Sequence, residues 1–132
     1  MTTFKEKKIF VEVTNAHDTT SDPKIYGYRS WREYWEANGH SRNELNHQRA
    51  DVELKDDGTH QFIEKYQCVA CGKYYQWDGA APECFDGCHV WIVGDPDQKE
   101  YIFPFCHTCN HLDFTVEVRA SMLVPAPAKI EE

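Results

Sequence analysis

The chain has 132 residues, enough for one domain with a modest core and few enough to gain from a metal staple. Its formal net charge is −8, from 22 acids against 14 bases, which argues against a generic nucleic-acid binder. No apolar run approaches the roughly 20 residues that span a bilayer, and Met-Thr-Thr-Phe-Lys-Glu-Lys-Lys has no apolar stretch behind its charges, so neither a membrane segment nor a secretory signal is expected.

In chain order, residues 9–13 alternate apolar and polar and predict a short strand. Residues 15–24, polar and holding Asp22-Pro23, predict a loop. Ser30-Trp31-Arg32-Glu33 is a capping box that opens a helix. Trp31, Tyr34 and Trp35 follow at i, i+3 and i+4, so three large rings share one face, which either packs on the core or presents an aromatic partner site. Asn38-Gly39 ends that helix. A second box, Ser41-Arg42-Asn43-Glu44, predicts another, mostly solvated helix with only Leu45, Ala50 and Val52 to bury. Asp56-Asp57-Gly58 is a turn, and Phe62, Ile63 and Tyr66 lead onward as a strand or a short helix. Residues 89–93 and 100–105 are strands around the turn Gly94-Asp95-Pro96-Asp97, giving a β-hairpin. Residues 110–113 would begin a short helix, and 114–118 alternate as a last strand. A domain over residues 1–120 with a flexible tail at 121–132 is the expected organisation, since the tail carries Pro125-Ala126-Pro127 and Glu131-Glu132.

Two Cys-x-x-Cys pairs, Cys68/Cys71 and Cys106/Cys109, carry the chemistry. Each turn presents two sulfurs from one tight loop, and two such turns supply the four tetrahedral ligands of a closed structural zinc site. Four bound thiolates would carry the protein to a net charge of about −10. Paired cysteines read as metal ligands in a reducing compartment, so a cytoplasmic location is expected. Cys84 and Cys88 leave several readings open. They could hold a second zinc with His89 and His107 or His111, replace a ligand of the first site, or be ordinary buried thiols. His107 sits inside the second pair and is expected to be exposed; His17, His40, His47 and His60 show no ligand spacing and read as surface residues. No nucleophile motif and no phosphate-cradling glycine loop occur.

Cys68, Cys71, His89-Val90, Cys106, Cys109 and Asn110 together resemble the zinc-bound branch of the HNH (His-Me finger) endonucleases, a treble-clef group. The chain is also similar to small bacterial and phage proteins in Ser30-Trp31 with Trp35, in Gly87 to Val90, and in Tyr101 to His111. The resemblance implies an α+β fold, a small zinc-stabilised treble clef over about residues 66–118 with an N-terminal strand and an aromatic helix. It also implies His89 as a general base, with Asn110 or His111 holding a divalent cation on the scissile phosphate. The sequence departs from that pattern at three places. Cys88, a soft ligand, precedes His89 where a hard one is needed; no Asn occurs from Val90 to Phe105; and Leu112-Asp113 replaces the Lys that often follows the last Cys. Between Asp78 and Glu117 there are eight acids (Asp78, Glu83, Asp86, Asp95, Asp97, Glu100, Asp113, Glu117) and one base, Lys99, a poor surface for a polyanion. His89 therefore reads more plainly as a structural residue than as a base. The function expected is that of a non-enzymatic acidic zinc protein that binds a basic or nucleic-acid-binding protein, as a phage anti-defence inhibitor or immunity-type partner would. A metal-dependent HNH endonuclease with His89 as base is the alternative.

Overall fold

A computed structural model describes residues 10–16, 22–54 and 58–127. Among the described residues the fold is α+β, with two antiparallel sheets and a two-turn helix, and no helix there is long and apolar enough to cross a membrane. The larger sheet has the order β7-β1-β5-β6-β8, from β1 (Phe10–Asn15), β5 (Phe85–Ile92), β6 (Glu100–Cys106), β7 (Thr115–Arg119) and β8 (Val124–Pro125). The smaller has the order β2-β3-β4, from β2 (His47–Leu54), β3 (Thr59–Gln67) and β4 (Tyr74–Tyr75).

The hairpin β5–β6 forms where expected and pairs Phe85 with Cys106, Cys88 with Phe103 and His89 with Ile102. Strand β1 lies against β5 on one side and β7 on the other. Helix α1 (Trp31–Ala37) starts at Ser30, whose hydroxyl accepts from the Glu33 N–H at 3.0 Å. The reciprocal half of that capping box is absent, because the Glu33 carboxylate accepts from the Arg29 N–H and guanidinium instead.

The aromatic face of α1 packs on the core. Trp35 is fully buried, and its indole N–H donates to the Met122 carbonyl at 2.7 Å. Tyr34 donates to the Pro125 carbonyl at 2.7 Å. Burial of two large rings with both polar tips satisfied makes this helix a main source of stability, since truncating such a ring costs about 3–5 kcal/mol. Trp77 stacks on Phe85 and lies 5.8 Å from Trp35, so the buried cluster runs from Val13 on β1 to Tyr66 on β3.

Two expectations need correction. The Ser41 box is complete, with Ser41 and Glu44 satisfying each other's backbone N–H groups, yet it caps one 3-10 turn at Arg42–Glu44 and no longer helix. Leu45 is buried, and the chain then extends into β2, where Arg49 to Leu54 alternates polar and apolar, the period of a strand. The segment from 121 to 127 is no loose tail: Val124 pairs with Ile102, Met122 and Val124 are buried, and both α1 rings bond to its carbonyls. Pro125 is tolerated because β8 is an edge strand, with its outer side free of ladder bonds. The undecided segment before the first cysteine pair is strand β3.

Gly87 sets how closely α1 approaches the hairpin. A Cβ there would overlap the Trp31 carbonyl carbon and lie 2.5 Å from the Arg32 nitrogen, both backbone atoms that cannot swing away. Gly87→Ala is accordingly expected to destabilise the protein by about 1–3 kcal/mol, read as a lower midpoint in urea unfolding.

Candidate metal centre

The first cysteine pair lies in a turn that follows β3. The Cys68 N–H donates to the Lys73 carbonyl at 2.9 Å and the Gly72 N–H to the Cys68 carbonyl at 2.7 Å, closing the loop on itself. Gly72 holds φ +79°, a left-handed conformation that glycine adopts without penalty. The second pair follows directly from β6: Cys106 ends the strand and caps α2 (His107–Asn110), a single helical turn that carries Cys109. Hairpin register and knuckle turn together bring residues 38 apart in sequence into contact, with the Cys106 N–H 3.4 Å from the Cys68 sulfur.

All four sulfurs lie within 4.8 Å of one another, and Cys71 and Cys106 are 3.9 Å apart. A tetrahedral zinc with Zn–S bonds of about 2.3 Å has sulfur–sulfur edges of about 3.8 Å, so the cluster is compatible with one zinc ion. Cys68 and Cys106 are fully buried and Cys109 nearly so, while Cys71 is exposed. Burial, with Cys68 adding to it and hydrogen bonds from Cys109 opposing it, pushes the Cys106 thiol up to about 11, and burial with the neighbouring sulfurs pushes the Cys109 thiol higher still. At Cys71 burial works in the same direction, but hydrogen bonds from Lys73 and the other thiols outweigh it and bring the group down. Tyr75 is pushed up to about 12 by burial and by Cys106 and Cys71 beside it, so it stays a donor toward sulfur. Buried thiols this close resist ionising together unless a cation takes up their charge. Four protein donors fill the tetrahedron and leave no position for substrate, which is the composition of a structural site.

The candidates for further chemistry fall into separate places. His89 is buried on β5 with its ring edge-to-face on Trp31, centroids 4.8 Å apart, and its Nε2 has no hydrogen-bond partner among the described residues. Burial depresses its pKa to about 4. Asn110 donates to the Asp86 carboxylate at 2.9 Å. His111 is exposed, caps α2 and touches the His107 ring. Cys88 is buried, its thiol directed at the Asp86 carbonyl 3.8 Å away, and desolvation holds its pKa well above that of an ordinary thiol. Among the described residues, no metal-donor grouping includes Cys88, His89 or His111.

Cys84 does enter such a grouping, with Asp86 and His107. His107 is only half exposed, and its Nδ1 lies 2.8 Å from Asp86. Of the four histidines read as surface residues, His47 and His60 are exposed and His17 lies outside the described residues. His40 is half-buried, stacked on Trp35 and bonded to Glu44. Sequence reasoning counted Asp86 only among the acids and missed Asn15. The buried Asn15 amide donates to the Asn110 and Leu112 carbonyls, fixing the exit of α2 against β1. The signal for Asp86 was its two-residue offset from Cys84 and Cys88, which puts strand neighbours on one face.

Comparison with family models, with curated proteins and with solved structures returns no match for this chain.

Two outcomes follow from the geometry. Cys106→Ser, or a strong chelator acting on the native protein, should abolish tight zinc binding and remove the near-ultraviolet circular dichroism of the packed aromatics, because thiolate-bound zinc contributes folding energy directly. His89 contributes to acid sensitivity. Its folded pKa lies below the unfolded value of about 6.5, so stability is complete above that pH and falls as pH drops toward 4. The loss should total about 3 kcal/mol. Urea unfolding of zinc-loaded protein should show this fall in wild type, and a slope shallower by about one proton in His89→Leu. Equal slopes would mean that His89 titrates normally.

Proposed function

We propose that this is a zinc-stapled, treble-clef-like binding protein that acts by covering a basic surface of another protein. The observation that carries the reading is the pairing of a four-cysteine cluster with an acidic exterior around the hairpin and second knuckle. Asp78, Glu83, Asp97, Asp113 and Glu117 are all exposed, against the single exposed base Lys99 in the same stretch. Zinc held by four thiolates adds further negative charge beneath that surface. Such a field steers a cationic partner and repels nucleic acid. The layout of knuckle, hairpin and second pair at the start of α2 supports a treble clef, although α2 is one turn long. A basic, nucleic-acid-binding face of another protein is the natural target, and phage anti-defence inhibitors and immunity-type proteins are the classes that work this way.

Two features weigh against the endonuclease alternative. The His89 ring is buried against Trp31 with its pKa depressed, whereas a general base must reach a water beside the scissile phosphate. Asn110 is engaged by Asp86, and no described donor grouping joins it to His89.

The test has two arms. Zinc-loaded protein with magnesium, manganese or nickel should leave plasmid DNA intact; nicking that disappears in a folded His89→Ala variant would replace this reading with the nuclease. In the second arm, affinity capture of a basic protein should weaken at least tenfold in the Asp97→Lys, Glu100→Lys double variant and show a steep salt dependence. Asp95 is spared because its carboxylate accepts from the Asp97 and Lys99 N–H groups and holds the hairpin turn.

A further inference from the structure

Beyond the four-cysteine cluster, one group of side chains converges without a purpose in the binding reading. Cys84 immediately precedes β5, Asp86 lies two residues on, and His107 opens α2. The hairpin ladder brings them together: Phe85 pairs with Cys106, and the His107 N–H donates to the Cys84 carbonyl at 2.9 Å, one step before β5 begins. A sulfur, a carboxylate oxygen and a ring nitrogen from these residues all lie within 4.8 Å of one another. Cys84 is buried, and Asp86 and His107 are half-buried.

We propose that Cys84, Asp86 and His107 form a second metal site, separate from the four-cysteine centre, which takes a zinc-class divalent ion on three protein donors and leaves the fourth position to water.

Three observations carry this. The first is donor chemistry. One thiolate, one imidazole and one carboxylate suit borderline ions such as zinc or cobalt, and the sulfur makes the set unsuitable for magnesium or calcium. The second is that the donors converge on one point. A Cys-His-Asp nucleophile relay places the imidazole between sulfur and carboxylate, so the ring and two hydrogen bonds hold those two groups well apart. Here the sulfur and the carboxylate oxygen are themselves within 4.8 Å, an arrangement for a shared ion and not for a relay. The His107–Asp86 separation of 2.8 Å would open to about 3.4 Å on a tetrahedral zinc, a small adjustment for side chains. The third is support and access. Asn110 donates to Asp86 at 2.9 Å and so orients the carboxylate from outside the donor set. Asp86 and Asn110 also line a cleft of about 380 Å3 between β5 and the start of α1, whose lining includes Arg29 and Arg32. Against burial and Asp86, which raise the thiol, the Arg32 charge favours the thiolate form of Cys84.

A structural clip made only of His107, Asp86 and Asn110 would account for two hydrogen bonds and leave the Cys84 thiol's place beside them unexplained. The site needs no catalytic step. Binding displaces the Cys84 thiol proton to solvent and fastens α2 to the start of β5 through an ion.

The experiment is a metal count on the full-length protein, loaded with zinc and passed through a desalting column. Wild type should retain two equivalents, and Cys84→Ser and His107→Gln one each. Asp86→Asn keeps an acceptor for Asn110 and preserves the fold if either of those variants fails, and should weaken the second equivalent at least tenfold while leaving the first unchanged. Cobalt substitution gives an independent readout. The second equivalent should add a single-thiolate charge-transfer band and visible d–d absorption, both absent in Cys84→Ser, whereas magnesium should not compete. A folded wild type that saturates at one equivalent would overturn the proposal, as would a second equivalent retained with wild-type affinity in both Cys84→Ser and Asp86→Asn. The count does not depend on any partner, so its failure would leave the binding reading untouched.

Discussion

The second half of the molecule is organised around four sulfurs, three buried and one exposed, gathered within 4.8 Å of one another, a spacing compatible with a single shared cation. The elements that gather them are short. Strand β4 has two residues and α2 one turn, and neither length is stable by itself in water. Burial and mutual repulsion oppose ionising the thiols, as the upward displacement of Cys106 and Cys109 records. A cation reverses the sign of that term. Metal affinity and folding are then one free energy, and the knuckle turn, the hairpin register and α2 are its geometric requirements.

The remaining elements solve a different problem, which is to cover the hairpin without disturbing its ladder. Gly87 lets α1 lie directly on β5, backbone against backbone. The helix then places Trp35 into the centre of the core, while Tyr34 and Trp35 reach across to carbonyls of the segment leading into and forming β8. Arg32 extends from the same helix to the Trp77 and Phe85 carbonyls at 2.9 and 2.8 Å, satisfying acceptors where the chain enters β5. One helix thus ties together the hairpin, the strand at its edge and the loop before it. The cost is His89. Facing α1 from the strand, it is sealed against Trp31 and loses its proton to desolvation.

What could be read from the sequence follows the range of the interactions involved. Local signals succeeded: the Ser30 cap, the aromatic spacing in α1, the turn at Gly94-Asp95 and the two cysteine pairs each depend on a few adjacent residues. The Ser41 box misled because a cap specifies where a helix starts and says nothing of its length. The alternation from Arg49 to Leu54 was the stronger signal, and it needed β3 as a partner to act. Residues 121–127 read as a tail because Pro125-Ala126-Pro127 suits an unpaired chain; their order comes from two bonds to α1 some 90 residues away, which no local pattern encodes. The same holds for the cluster of Cys84, Asp86 and His107. The sequence offers Cys84 and His107 as two of several candidates for a second zinc and does not bring in Asp86; the ladder between β5 and β6 selects and assembles the set.

The acids of the second half divide into two kinds, and the division separates surface chemistry from site chemistry. Asp97 and Glu117 are exposed, where a carboxylate contributes mainly to a long-range field that salt screens. Asp86 is half-buried between His107 and Asn110, and Asp95 is consumed by backbone N–H groups in the turn. An acid held by two partners at 2.8–2.9 Å, next to a buried sulfur, lies where solvent screening is reduced. A cation there would be held far more strongly than at any of the exposed carboxylates. The net charge of the chain therefore points to the surface that would meet a basic partner, and not to the site where a metal ion would sit: that depends on the one acid held between His107 and Asn110.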